Sequence, residues 1–145
     1  MYNRSIRKLG AGTIILPGAV RIALYGSTVA AGFMTKTISL VGSIADQVTE
    51  SNGYSTSGKA LASEVWTAGT SAGQIKFDAA DPIWTATGGA INSIKGCVLF
   101  MSGAAAGSCH ALAFASLTST AFNLASGNTL TLQFNSAGIF TAANA

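Results

Sequence analysis

The sequence has very little charge, and its last fifty residues, 96–145, contain no Asp, Glu, Lys or Arg. Charged residues make up 9% of the chain, whereas globular domains usually carry charge on about a quarter of their positions. The mean hydropathy is +0.45. Surface charge keeps a domain soluble and monomeric, so a free domain of this composition would tend to associate. The composition therefore predicts an assembly component whose surface is covered by copies of itself or by partners.

Cysteine is scarce, and two residues, Cys97 and Cys109, are too few for a disulfide framework or a zinc site. We expect residues 97–102 and 109–114 to form a hairpin, with Cys109 beside the turn. Cys97 would then lie at the far end, roughly 15 Å away at the rise of a strand, which is beyond disulfide reach. The sequence predicts two reduced, buried thiols in a protein made in the cytoplasm, and no metal or cofactor.

Long uninterrupted hydrophobic runs are also missing. Residues 4–20 resemble a signal peptide because basic residues precede an apolar stretch, but Pro17 and three glycines interrupt that stretch. Residues 97–115 are apolar but contain glycines, serines and a histidine, without an aromatic belt at their ends. We therefore expect no membrane insertion, and we interpret residues 97–115 as two buried strands joined by a turn.

Positive charge is concentrated at the start of the chain, where four of the eight basic residues lie within the first 21 positions and the first acidic residue is Asp46: Arg4, Arg7, Lys8 and Arg21. This pattern predicts an extended basic N-terminal arm, residues 1–18, ahead of one domain, residues 19–145. The four basic residues are the candidate partner-binding residues, and an acidic protein surface is the partner that suits them. A solvated tail is the alternative. Four charges are too few to predict direct nucleic-acid binding.

Hydrophobic residues alternate with period two, which is typical of half-buried β-strands. Leu112 and Phe114, for example, are expected to face the same side of their strand. The alternation predicts strands at 19–25, 74–77, 110–114 and 129–134, and the continuous apolar run predicts a strand buried on both faces at 97–101.

Turn residues separate these segments, and the alternation of strands with helices that marks βαβ units is not evident. We therefore predict an all-β fold, an antiparallel β-sandwich that is jelly-roll-like or related. The region 45–73 has the weakest strand pattern and is expected to hold a large loop with a short strand around 62–66. A two-turn helix at 43–50 is an alternative within this region.

One segment resembles a phosphate-binding loop. Residues 53–60 read GYSTSGKA and match the pattern GxxxxGK[ST] except at the last position, where Ala60 cannot supply the hydroxyl that holds Mg²⁺. The strand before and the helix after such a loop are also not indicated. We interpret the segment as a glycine-rich loop between strands with one exposed lysine.

Other candidates for chemistry are isolated. Cys109 and His110 are adjacent, so on a strand their side chains point to opposite faces and cannot form a nucleophile–base pair. Asp78 and Asp81 precede a proline and are interpreted as turn residues whose carboxylates accept backbone N–H groups. A Ca²⁺ site would need more oxygen ligands than this segment offers. The sequence therefore predicts no enzyme.

Three segments together resemble small virion proteins of tailed bacteriophages. Residues 77–86 read FDAADPIWTA and match a recurring F-D-A-x-D-x-x-W-T-A turn and strand that precedes an apolar strand. Residues 52–58, NGYSTSG, are similar to the loop GYTxGG of these proteins. Residues 126–140 are similar to their close, G-x-L-T-I-x-W/F-N-x-x-G-I-F. The chain departs from the pattern at 102–110, which is Ala/Gly-rich instead of polar, and it is less acidic.

The resemblance implies a β-sandwich virion protein and no catalytic residues. We expect a capsid decoration, or cement, protein that binds the major capsid protein on the head surface as a dimer or trimer. Residues 97–142 would then be buried in the sandwich or against neighbouring subunits. The alternatives are a tail-tube, head–tail connector or fibre-base protein, and a carbohydrate- or host-binding module that uses Trp66 and Trp84 as stacking platforms. Both tryptophans also suit a core or an interface.

Overall fold

The computed structural model describes residues 20–26, 40–69, 71–72, 74–102 and 109–143. In these residues the chain forms eleven β-strands and one 3₁₀ turn, Val41–Ser43. The strands are β1 (Val20–Tyr25), β2 (Lys59–Ala60), β3 (Val65–Ala68), β4 (Gln74–Asp78), β5 (Ile83–Thr85), β6 (Ile91–Ile94), β7 (Gly96–Met101), β8 (Ala111–Ser116), β9 (Phe122–Leu124), β10 (Thr129–Thr131) and β11 (Phe140–Ala143). Every pairing between them is antiparallel, so the predicted all-β class is confirmed. The predicted arm, residues 1–18, lies outside the described residues.

The central sheet has four strands in the order β2-β1-β7-β8. Its middle strand β7 is buried from Gly96 to Phe100, as the continuous apolar run predicted. Leu99 faces the main hydrophobic core, and Val98 and Phe100 face a second cluster on the other side. Both faces of this sheet are therefore apolar, because alternation along β7 places large side chains on each side.

Three smaller sheets pack against one face of the central sheet: β11-β4-β3, β5-β10 and β6-β9. Their contributions to the main core include Phe77, Trp84, Ile91, Ile94 and Leu124. The central sheet contributes Val20, Ile22, Leu24, Cys97, Leu99 and Leu112. Each fully buried aliphatic or aromatic side chain of this kind stabilises the fold by about 1.5–3 kcal/mol. The main core between the central sheet and the smaller sheets therefore supplies most of the hydrophobic stabilisation.

The second cluster covers the opposite face of the central sheet. It joins Tyr25 of β1 and Phe100 of β7 to Ile44 and Cys109, which lie outside the strands. The N–H of Val41 donates to the carbonyl of Cys109, at 2.9 Å, and holds the 3₁₀ turn beside the hairpin. Val41 and Ile44 therefore form part of the cover of this face of the sheet.

The predicted antiparallel pairing of β7 with β8 is confirmed, with a bulge in its register, and the predicted turn at 103–108 lies outside the described residues. Leu99 pairs with Ala113 and Phe100 pairs with Ala111, which leaves Leu112 as an extra residue on β8. Leu112 therefore packs in the main core, while Phe114 packs against the second cluster. The expectation that both side chains share a face was wrong, because one extra residue reverses the alternation beyond it.

The structure of residues 43–60 differs from the helix that the sequence offered as an alternative for 43–50. A helix at 43–50 was wrong: the 3₁₀ turn ends at Ser43, and Asp46 has a positive φ of 67°, which a helix cannot contain. Asn52 and Gly53 both have positive φ, 52° and 91°, between the mutually hydrogen-bonded Ser51 and Tyr54. This is a type I′ turn, for which Asn-Gly is the favoured pair.

Two predicted strands have different limits in the structure. The short strand expected at 62–66 lies at Val65–Ala68. The strand expected at 129–134 ends at Thr131, although Leu132 remains buried and its N–H donates to the carbonyl of Pro82. The sequence pattern predicted the approximate position of both strands. The end of each strand is set by where its hydrogen-bonded pairing with the neighbouring strand ends.

Tyr54 connects the 50–58 loop to the central sheet. Its side chain is buried, and its hydroxyl accepts a hydrogen bond from the Leu24 N–H at 3.0 Å. Gln47 Nε2 donates to the same hydroxyl at 3.1 Å. Because β2 pairs with β1 only at Arg21 and Ile22, the phenol takes the place of a strand partner at Leu24. Burial is the main reason that the pKa of Tyr54 lies above its usual value of 10.0.

The variant Tyr54→Phe is expected to lower the free energy of unfolding by about 1–3 kcal/mol, because it leaves the buried Leu24 N–H without its acceptor. Urea unfolding followed by tryptophan fluorescence measures the change. Thr129→Ala, at an exposed strand position, is the control and should change stability by less than about 0.5 kcal/mol. Equal unfolding midpoints for Tyr54→Phe and the wild type would contradict this role.

Candidate functional site

Of the four predicted partner-binding residues, the structure describes only Arg21; Arg4, Arg7 and Lys8 lie outside the described residues. Arg21 is on β1, and its guanidinium binds the neighbouring loop. Nε donates to the Ser57 carbonyl and an Nη donates to the Gly58 carbonyl, each at 2.7 Å. Gly58 has a φ of 71°, and a Cβ there would lie 2.9 Å from the Phe100 ring. The chain therefore uses Arg21 to hold this loop tightly against the sheet.

A groove of about 630 Å³ opens beside Arg21 on the side of the second cluster. Ile44 and Phe100 form part of its apolar floor, while Thr56 and Ser57 line it with polar groups. Arg21 is the charged residue of this lining. Its guanidinium already donates hydrogen bonds to two backbone carbonyls. The groove therefore has an apolar floor, and its charged residue has a structural role.

Glu50 closes the same loop from the other side. Its Oε2 accepts hydrogen bonds from the Thr56 hydroxyl at 2.9 Å, the Thr56 N–H at 3.1 Å and the Ser55 hydroxyl at 3.2 Å. These donors, with the Thr56 hydroxyl foremost, lower the pKa of Glu50 below its usual value of 4.5. The carboxylate is committed to the loop and is not arranged for acid–base chemistry.

The segment that resembled a phosphate-binding loop leads into a strand. Lys59 lies on β2, which pairs with β1. A phosphate site would require a helix to begin at this position instead of a strand. Lys59 Nζ donates to the Ile83 carbonyl and lies 5.9 Å from the centre of the Trp84 ring. The interpretation as a loop between strands, with an exposed lysine, is confirmed.

The carboxylates of both aspartates accept backbone N–H groups, as predicted, although only Asp78 does so within its own segment. Asp78 Oδ1 accepts from the Ala79 N–H at 3.0 Å, and Oδ2 lies 3.4 Å from Lys76 Nζ. Asp81 Oδ1 accepts from the N–H of Phe134, 53 residues away, at 2.8 Å. Asp81 therefore joins the 78–82 turn to the end of the β10 segment. In the described ranges no three His, Cys, Asp or Glu residues gather in a way that could hold a metal ion.

The cysteines are free and buried, and they lie at opposite ends of the β7–β8 hairpin as expected. Cys97 pairs with Ala115, far from the turn. Burial raises the pKa of the Cys97 thiol from 9.0 to about 12. Because the thiolate is the nucleophilic form, Cys97 is an inert core residue and not a candidate nucleophile.

The tryptophans belong to apolar clusters. Trp84 is 3% exposed in the main core. Trp66 is half-buried and makes edge contacts with Phe77 and Phe140, with ring centroids 5.5 and 5.8 Å apart. Phe77 and Phe140 stack on each other at 4.9 Å. The buried Trp84 ring offers no open face to a sugar, so the core interpretation of this residue is confirmed.

Sequence reasoning missed a second groove, of about 370 Å³, which we call the C-terminal groove. It lies between β8 and residues 131–139, with Leu99, Leu117, Leu132 and Ile139 among its lining. All thirteen described residues that line it are uncharged. Its segments are distant along the chain, and the only sequence signal for it was the missing charge after Lys95.

Residues 97–142 are not uniformly buried in the single chain. β7 and the start of β8 are buried, but Ala115, Ser116 and most positions from 119 onward are half-buried or exposed. Leu124 and Leu132 are exceptions. The prediction that these residues are buried within the domain was therefore wrong for residues 115–142. Their short strands point alternate small polar side chains towards solvent. The structure leaves a neutral surface rich in Ser, Thr and Asn, and burial against neighbouring subunits stays a prediction.

The chain matches no protein-family model, no curated protein and no solved structure. Within the part of the chain that the structure describes, no helix is long and apolar enough to cross a membrane. The geometry therefore identifies two grooves and one neutral surface, and the C-terminal groove is the candidate site that these observations favour.

Glu50→Gln is expected to remove a pH-dependent part of the stability. Since folding lowers the Glu50 pKa, its contribution is complete above the unfolded-state value near 4.5 and is lost as the pH falls through the lower folded-state value. Thermal unfolding of both proteins between pH 2.5 and 7 measures this. The Tm difference should be largest near neutral pH and should shrink in acid. A difference that stays constant over the range would contradict the assignment.

Cys97 is expected to resist alkylation in the folded protein. A pKa of about 12 instead of 9.0 lowers the thiolate fraction at pH 8 by about a thousandfold, and burial restricts access as well. Iodoacetamide labelling of a Cys109→Ser variant, followed by intact-mass measurement, isolates Cys97. Labelling should be slow in buffer and rapid in urea, and rapid labelling in both conditions would refute the burial of this thiol.

Proposed function

We propose that this chain is a structural subunit of a tailed-phage virion, and specifically a capsid decoration protein on the outer surface of the major capsid protein lattice. The observation that supports this most is the neutral surface formed by residues 115–142 around the C-terminal groove. Its lack of charge is unusual for a surface exposed to water and suits one that other subunits cover.

A neutral surface can be buried at low cost. Removing a charge from water carries a large desolvation penalty unless a partner compensates it, and the centres of protein interfaces are depleted of charged residues. Small hydroxyl and amide side chains, such as Thr129, Thr131 and Asn135, lose less on desolvation and can pair with backbone groups. A subunit with such a surface gains stability by mass action when it joins a lattice.

The finer features of the proposal extend beyond the described residues. The sheets would form a jelly-roll-like sandwich, and residues 1–18 would extend from it as an arm. Arg4, Arg7 and Lys8 would then anchor the arm on an acidic capsid surface. Arg21 has a different role in the structure, since its guanidinium holds the 50–58 loop. The sequence resemblance at residues 77–86 supports the assignment to phage particles.

A tail-tube, connector or fibre-base protein would use the same kind of surface, so location in the particle separates these alternatives from the decoration role. The carbohydrate-binding alternative is not favoured, because Trp84 is buried in the main core. The number of subunits per particle distinguishes the remaining candidates, since shell proteins follow the capsid lattice whereas connectors form single rings.

Quantitative mass spectrometry of purified particles that contain this chain should give a ratio to the major capsid protein near that of a component repeated over the whole lattice. A ratio that corresponds to a single closed ring would replace the decoration role by the connector role. Detection of the chain only in infected-cell lysate, and never in purified particles, would refute a virion function. Cryo-electron microscopy of the same particles would locate the subunit.

A further inference from the structure

The guanidinium of Arg21 has hydrogen-bonding capacity that the fold does not use. Its Nε and one terminal nitrogen donate to the Ser57 and Gly58 carbonyls, and the same terminal nitrogen lies 3.4 Å from the Ser57 hydroxyl. The other terminal nitrogen carries two further N–H donors. Among the described residues none accepts a hydrogen bond from it, and no carboxylate there forms an ion pair with Arg21. The side chain is therefore a half-buried cation without a counter-charge in this part of the chain.

The guanidinium is also held in a fixed position. Two backbone carbonyls bind one edge of its planar fork, so little rotamer freedom remains to be lost when a ligand binds the rest. The loop that supplies these carbonyls is itself held by the Glu50 carboxylate at Thr56 and by the close approach of Gly58 to the Phe100 ring. The structural role of Arg21 thus preorganises its remaining donors.

The groove of about 630 Å³ beside this side chain, which we call the Arg21 groove, supplies an apolar surface next to the cation. Val41, Ile44 and Phe100 line it and belong to the second cluster. Arg21 is the one charged residue among the described residues of the lining. A concave site with an apolar floor and a single uncompensated cation is complementary to a group that has an apolar part and one negative charge.

A carboxylate is the anion that suits a single guanidinium, because it carries one negative charge and accepts the N–H groups of an arginine in its own plane. A phosphate monoester carries close to two negative charges at neutral pH, which is more than one cation balances. Nucleic acids are bound by several cations that follow the phosphate backbone, and the described lining offers one. The charge of the Arg21 groove therefore favours an acidic side chain.

We propose that the Arg21 groove binds an Asp or Glu side chain of a partner protein, with an adjacent apolar side chain of that partner on Ile44 and Phe100. The inference rests on the proposed function, since the partner surface would then belong to the capsid lattice. A partner that covered Arg21 with apolar groups alone would leave a desolvated charge unpaired, at a large cost. The partner must therefore supply a carboxylate at this point of the contact.

A blocked peptide tests the site in solution without the particle. The probe is the pentapeptide Gly-Leu-Glu-Leu-Gly, acetylated and amidated so that the glutamate carboxylate is its only charge, and the matched probe has Gln in place of Glu. Both are titrated into the isotopically labelled full-length protein and followed by NMR. The Glu peptide should shift the amide signals of Thr56, Ser57 and Phe100 in a saturable way, and the Gln peptide should bind about tenfold more weakly or worse.

Three variants assign the binding to the groove. Arg21→Gln removes the cation, and Ser102→Trp fills the groove from an exposed lining position while leaving Arg21 intact. Lys59→Gln is the matched control, because it likewise removes a cation that donates to a backbone carbonyl, but one outside the groove lining. Each of the first two variants should lose at least about tenfold in affinity for the Glu peptide, and the control should bind it like the wild type.

Circular dichroism establishes that each variant is folded, and Ser102→Trp tests the site if Arg21→Gln does not fold. The proposal would be overturned by equal binding of the Glu and Gln peptides, by no saturable shift at millimolar peptide, or by unchanged binding to Ser102→Trp. Tighter binding of inorganic phosphate than of the Glu peptide would also overturn it, in favour of a phosphate ligand.

This outcome can be distinguished from that of the virion role. A groove that does not bind the peptide leaves the ratio of copies per particle unaffected, since other surfaces could hold the chain on the shell. Conversely, absence of the chain from purified particles would refute the virion role, while measured binding of the acidic peptide at the Arg21 groove would stand.

Discussion

The rest of the structure depends on the burial of β7 on both faces. A strand whose successive side chains all leave water needs a cover on each side of its sheet, and the chain supplies two different covers. On one side the smaller sheets contribute Phe77, Trp84 and Ile91 to the main core. On the other side Ile44 and Cys109 lie over Val98 and Phe100. This arrangement excludes charge from β7, since an unpaired ionised group at such a position would be strongly destabilising.

The 50–58 loop supports the edge of the central sheet where β2 is short. β2 has two residues, so on that side of the sheet β1 has no paired strand beyond Ile22 and only an isolated bridge between Tyr25 and Gln47. The Tyr54 hydroxyl at Leu24, the Arg21 guanidinium at the loop carbonyls and the Glu50 carboxylate at Thr56 replace that missing strand. The segment that resembles a phosphate-binding loop is therefore structural, and its glycine at 58 is needed for close approach to Phe100.

Period-two alternation was sufficient to predict β1, β4 and the start of β8, because each of these strands has its own buried face, and the continuous apolar run predicted β7. It failed at Leu112, where a bulge depends on the register with β7 and not on the residues of β8. The two-turn helix considered for 43–50 is also wrong, because the left-handed backbone of Asp46 breaks a segment of otherwise acceptable helical composition. The C-terminal groove was beyond sequence reasoning, since Leu99 and Ile139 meet only through the tertiary fold.

The absence of charge from residues 96–145 has two separate causes. For β7 and the buried start of β8, the fold itself explains the absence of charge. For residues 115–142 it does not, because many of these side chains are exposed in the single chain and could be charged without any cost to the core. The exposed Ile75 presents the same problem on another surface. The proposed role as an assembly subunit accounts for both regions, because a charge at an interface between subunits would be buried at a large desolvation cost.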